Sequence, residues 1–286
     1  MLKKTKLTTE EGIEALDFLR TSILSKESFN IINWSRICRE YKLSEDFIRK
    51  FYKYVDWYQI SYKQNLTESF IREFNEKVDW MAISESQVLN ESFIEEFKNE
   101  VDWDSICNNQ KLTEAFIEKH IDRFDMTEIL RSQKLSEQFI RKHKDLLDWE
   151  YISVYQKLNE RFIEEFEVEI YWDKISAHQK LNNKFITKHS DKLNWYNICR
   201  NQKLNPETIS LFRKKVDWGA ISAFQKMDFK FINKYKDKID FYHYGRYNKY
   251  ILEDVVRKFY DRFDKEDLLE NKKLPQNIKK LIGVFQ

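Results

Sequence analysis

Apolar positions recur along this chain every twenty-three residues, and the polar positions between them hold the same phase. All eight tryptophans lie on one comb, Trp34, Trp57, Trp80, Trp103, Trp149, Trp172, Trp195 and Trp218, with intervals of twenty-three or forty-six. Met126 fills the gap, Phe241 follows Trp218, and after one extra residue Lys265 takes the eleventh place. Ile stands three residues after each comb position from Ile37 to Ile221, Leu or Met nine after it, and a Phe-Ile pair such as Phe47-Ile48 follows. Strict internal periodicity of this length marks a repeat array.

Each period parses into two short helices. The first follows Ser44, Thr67, Asn90, Thr113, Ser136, Asn159, Asn182, Asn205 or Asp228, all residue types that accept a bond from free first-turn amides. The second follows Asp56, Asp79, Asp102, Asp125, Asp148, Asp217 or Asp240, with Asn33 and Asn194 at the same register. Leu43 with Ile48, and Val55 with Ile60, bracket the two caps as hydrophobic staples. The apolar set of one repeat is too small to offset the ordering of its residues, so neighbours must share their faces. The chain is therefore expected to be all-α, an α-solenoid of about ten to eleven helix–turn–helix units. Residues 1–33 are expected to form an N-terminal cap, 34–241 the regular repeats, and 242–286 a divergent last repeat and C-terminal cap, in one continuous solenoid.

Composition sharpens this picture in two respects. Gly (4) and Pro (2) are scarce in 286 residues, so the connections must be short polar links. The net charge of +2, from 50 basic and 48 acidic residues, gives no support to a nucleic-acid or anionic-membrane surface. No apolar run suits a signal peptide or a membrane span, and three cysteines cannot pair completely, which points to a cytoplasmic chain in a reducing compartment.

Candidate chemistry is sparse. Cys38, Cys107 and Cys199 occupy the register that carries Ser61, Ser84, Ser153, Ser176 and Ser222 elsewhere, so they read as small residues at a close helix approach. His120, His143 and His189 replace the ring found at Phe51, Phe74, Phe97, Phe166, Phe212 and Tyr235. The aspartates before Trp are explained by capping. On the first helix, Glu45/Arg49 and Asp46/Lys50 read as exposed pairs four residues apart. Eight glutamines, Gln64, Gln87, Gln110, Gln133, Gln156, Gln179, Gln202 and Gln225, form an unbroken ladder. They either satisfy backbone groups where the second helix stops or face a long ligand. No Gly-rich phosphate loop, HExxH, CxxC or nucleophile elbow is present, so no catalytic residue, cofactor or metal is expected, and the chain is not expected to be an enzyme.

Only the offsets one, two, five and six after the comb position vary freely. They carry Tyr58, Tyr62, Arg131, Tyr151, Tyr155, Tyr196, Arg200 and Phe224, of types that dominate interface energetics. If the second helix is the shorter one lining the inner curve, these residues pave a groove.

The unit QKLSEQFIRKHKDLLDWEYIS, residues 133–153, resembles repeats of uncharacterised proteins of large DNA viruses and phages, whose recurring phrase is close to QKLSE-FI…DW-IS. The likeness extends over about residues 43–240 and implies no established activity and no catalytic residues. It suggests a viral or phage product sequestering a host component. The expected function is a scaffold binding another protein along its inner, short-helix surface. The alternatives are single-stranded nucleic-acid binding through the glutamines and tyrosines, or a nucleotide or small-anion site.

Overall fold

The computed structural model describes residues 33–284, and the expected cap at 1–33 lies outside them except for Asn33. The chain falls into two compact units that divide between Leu135 and Ser136. Every described element is helical. The first unit holds α1 Trp34–Glu40, α2 Glu45–Lys50, α3 Trp57–Lys63, α4 Glu68–Glu73, α5 Trp80–Ser86, α6 Glu91–Glu96, α7 Trp103–Asn109, α8 Glu114–Lys119 and α9 Met126–Ser132. The second holds α10 Glu137–Lys142, α11 Trp149–Tyr155, α12 Glu160–Glu165, α13 Trp172–His178, α14 Asn183–Lys188, α15 Trp195–Asn201, α16 Pro206–Leu211, α17 Trp218–Phe224, α18 Phe229–Lys234, α19 Phe241–Tyr247, α20 Glu253–Lys258, α21 Lys265–Glu270 and α22 Gln276–Val284. Odd-numbered helices start on the comb, and even-numbered ones up to α18 follow a Ser, Thr, Asn or Asp cap, whereas α20 follows Leu252 with no side-chain cap bond. Within each unit they stack as the tandem-repeat solenoid that the period requires.

The caps form as their residue types dictate. Asp56 accepts from the amide of Gln59 at 3.1 Å, Asp79 from Ala82 at 2.8 Å, and Thr67 from Phe70 at 3.2 Å. Tyr171 breaks the series, because its phenol supplies no cap bond to α13. Up to α20, each even helix ends at the aromatic register, where the Phe74 carbonyl accepts from Lys77 and Val78 at 2.9 and 3.1 Å and turns Val78 into the core.

Up to α20 the odd helices run seven residues and the even ones six, so the comb helix is the longer of the pair, not the shorter; α21 has six. It still forms the tighter side of each unit. Successive odd helices pack directly along their length, whereas successive even helices barely meet. The serine register explains the close approach. Ser61, Ser84, Ser153, Ser176 and Ser222 are fully buried, and their Oγ atoms accept the amide of the next repeat's cap residue at 2.9–3.1 Å. Cys38 and Cys199 fill the same place, each facing the backbone of the next repeat's cap residue, Asp56 or Asp217. Burial pushes these two thiols up to about 11 and about 12. Gly245 is the extreme case, since a Cβ there would stand 3.0 Å from Phe263 Cδ1.

The indoles are half-buried rather than sealed in the core, Trp34 apart. Trp80 packs 4.8 Å from Phe97, centroid to centroid, and its Nε1 donates to the Asn75 carbonyl at 3.1 Å. Trp57, Trp103, Trp172, Trp195 and Trp218 repeat that bond, so the ring glues one repeat to the next while one edge stays wet. His120 and His189 do serve as rings. They lie 5.0 and 5.2 Å from Trp103 and Trp172, and each meets a carboxylate of the preceding repeat, Glu95 at 2.6 Å and Glu164 at 3.0 Å. On the even helices Asp46 pairs with Arg49 at 3.0 Å rather than with Lys50, because Arg49 also reaches Glu73 in the next repeat at 2.8 Å.

Candidate functional site

The glutamine ladder belongs to the frame. Gln179 Nε2 donates to the carbonyls of Ser153 and Gln156 at 2.9 and 2.8 Å, and its Oε1 accepts from the Leu158 amide at 3.1 Å. Ser153 lies in the last turn of α11 and Gln156 caps it, so these are the carbonyls that a helix end leaves without an internal partner. Gln64, Gln87, Gln110, Gln133, Gln202 and Gln225 make the same pair of donations one repeat back. The odd helices α1, α3, α5, α7, α11, α13 and α15 are thus C-capped by the next repeat's side chain, and no left-handed glycine is needed. Accordingly, no described residue has positive φ, which accounts for the scarcity of glycine. The amides are buried and committed, so they present nothing to a long ligand.

Two rungs and a whole second ladder escape sequence reading. Asn248 and Asn271 continue the donations, to Ser222 and Gln225 and to Gly245 and Asn248, but their shorter side chains accept from Tyr250 and Lys273 two residues on. The second ladder starts from the first residue of the even helices. Glu45, Glu68, Glu91, Glu137 and Glu160 accept the cap amide of the next even helix at 2.6–2.8 Å. The signal was present, a glutamate after nearly every cap, but it looked like ordinary charge at a helix start.

With the frame satisfied, the variable offsets are what the odd helices present outward. In the first unit, Tyr58 is 53% exposed and lies 6.0 Å from Tyr62 with near-parallel rings, while Arg131 donates to Glu128 of its own helix at 2.8 Å. In the second unit, Tyr151 and half-exposed Tyr155 stand 5.8 Å apart on α11. Tyr196, Arg200 and Phe224 do come together: Arg200 donates to the Tyr196 hydroxyl at 3.3 Å and rests 5.4 Å over the Phe224 ring.

Beside them, within the second unit, opens a pocket of about 550 Å³. Buried Ala220 and Ala223 form its floor with Gly219, and Tyr196, Phe224 and Tyr247 wall it. Asp217 and His243 complete the lining. Asp217 Oδ1 accepts the Ala220 amide at 2.7 Å, and His243 Nδ1 meets Asp240 Oδ2 at 2.7 Å. The hole exists because α17 carries Gly219 where neighbouring odd helices carry Tyr196 and Tyr242, and Ala223 where they carry Arg200 and Arg246. Sequence reading passed over Gly219 and Tyr247 and took His243 as isolated. The available clue was a glycine inside a helix of a chain that has only four.

Among the described residues no group of His, Cys, Asp and Glu is arranged to hold a metal ion, and no helix is long and apolar enough to cross a membrane. No protein family, curated protein or solved structure matches the chain.

Proposed function

We propose that the chain is a non-enzymatic helical-repeat scaffold that binds another protein along the outward face of its odd helices. The observation that carries this reading is the contrast between a frame whose polar groups bond from repeat to repeat and a set of exposed rings that the frame does not use. Tyr58, Tyr155, Tyr196, Phe224 and Tyr247 are each at least 42% exposed. Tyr and Arg on a rigid support lose little entropy on binding and supply much of an interface's energy.

The nucleic-acid alternative loses its base-reading groups, since the glutamine amides are spent inside, and a net charge of +2 gives little phosphate attraction. A nucleotide or small anion is disfavoured at the pocket, whose lining includes a carboxylate and neither lysine nor arginine.

The test places a photo-crosslinking phenylalanine analogue at Tyr155, at Tyr196 and, as control, at Val168, which is 88% exposed in a turn. In the cells that make the protein, positions 155 and 196 should yield one discrete adduct that the control does not. Equal labelling from all three positions, or none, would refute the odd-helix face as the binding surface.

A further inference from the structure

We infer that the pocket over α17 receives an arginine side chain of the bound partner. This rests on the odd-helix face being the binding surface and adds the chemistry of one anchor. Three aromatic residues, Tyr196, Phe224 and Tyr247, line it, the side-chain type that stabilises a planar cation. The rings here already accept guanidinium groups: Arg200 lies 5.4 Å over Phe224 and Arg246 5.9 Å over Tyr247. The carboxylate of Asp217 is exposed, and its capping bond to Ala220 uses Oδ1, which leaves Oδ2 for an incoming N–H donor.

Charge favours the same occupant. Arg246 is neutralised by Asp267 and Glu270, the latter at 2.5 Å, and His243 is held against Asp240. Arg200, over Phe224, opposes an incoming cation, and Asp217 is the carboxylate in the lining that would pair with it. The floor of Gly219, Ala220 and Ala223 gives the depth that a long side chain needs to leave water. On α3 the offsets of Gly219 and Ala223 hold bulk, at Tyr58 and Tyr62.

The test titrates N-acetyl-arginine methylamide into the intact protein, with the neutral isostere N-acetyl-citrulline methylamide as control. The readout is the backbone amide signals of Gly219, Ala220 and Ala223. Saturable shifts are expected with the arginine probe and none with citrulline. Gly219→Tyr, which restores the side chain borne by Tyr196 and Tyr242 at this register, should abolish them. Asp217→Asn keeps the cap, because Asn194 accepts the Asn197 amide at 3.1 Å in the same place, and should weaken binding at least about fivefold. Equal shifts with citrulline, no saturable shift with arginine, or Asp217→Asn binding like wild type would each overturn the assignment. Crosslinking at 155 and 196 with no arginine response would leave the surface standing and remove only this anchor. An arginine response without crosslinking would do the reverse.

Discussion

Replacing Gln179 by Leu should unclamp one repeat from the next. The side chain is 5% exposed, and its three bonds go to two carbonyls and one amide that have no place in the helical ladder. Leucine fills similar volume, so packing changes little while three buried backbone groups lose their partner. At about 1–3 kcal/mol for each orphaned group, the cost is about 3–9 kcal/mol, the lower end applying where water enters. Stability in a stacked array is distributed, so the loss should be sharpest locally. Native-state hydrogen exchange is therefore the assay, with the Leu158 amide as reporter because its acceptor is the deleted Oε1. Its protection should drop by about 100-fold or more, and the urea midpoint should fall. Gln179→Asn should lie between, since Asn248 and Asn271 keep both donations but not the backward acceptance. If Gln179→Leu stays within about 0.5 kcal/mol of wild type with Leu158 protection unchanged, the ladder does not hold the stack.

Other outcomes follow from the same contacts. Tyr171→Asp should stabilise α13 by about 1 kcal/mol in thermal unfolding, because it supplies the cap that Asp56 and Asp79 provide elsewhere. In the folded protein Cys38 and Cys199 should react with a disulfide reagent at about pH 8 at least about 100-fold more slowly than in urea, given thiols raised to about 11 and about 12. Because the folded values exceed the unfolded one, the neutral thiols' contribution is complete below about pH 9 and should fade as pH rises toward 11 and 12. Lys119, Lys98 and His120 hold Glu95 down at about 2, so its contribution is present above its ordinary range near 4.5 and is lost as pH falls toward 2. Carbon-detected titration should place the Glu95 midpoint there, and Glu95→Gln should remove that part of the acid sensitivity.

The period, the paired helices, both sets of caps and the small-residue register were legible because each repeats about ten times, and repetition separates constraint from chance. The aromatic role of His120 and His189 was legible for the same reason. The comb helix was read as the shorter one because nothing in the sequence marks where its last turn stops. That end is set by a glutamine one repeat later, a contact between residues twenty-three and twenty-six apart. The glutamines were seen as a ladder, but their direction, inward or outward, depends on which carbonyls go unsatisfied, and only the stacked structure decides that. The pocket was invisible for a different reason. It is made by what α17 lacks at Gly219 and Ala223, and a search for reactive or bulky residues does not register absence.

If every repeat meets its predecessor through the same bonds, one whole period can be removed without breaking the stack. Deleting residues 159–181 joins Leu158 to Asn182 and hands the carbonyls of Ser153 and Gln156 to Gln202, which now donates to Ser176 and Gln179. Hydrogen exchange at the Leu158 amide in that shortened chain is the most direct measurement. Protection close to wild type is predicted, while deletion of residues 159–175, which breaks the register, should lose it. Loss of Leu158 protection in the twenty-three-residue deletion would contradict the account.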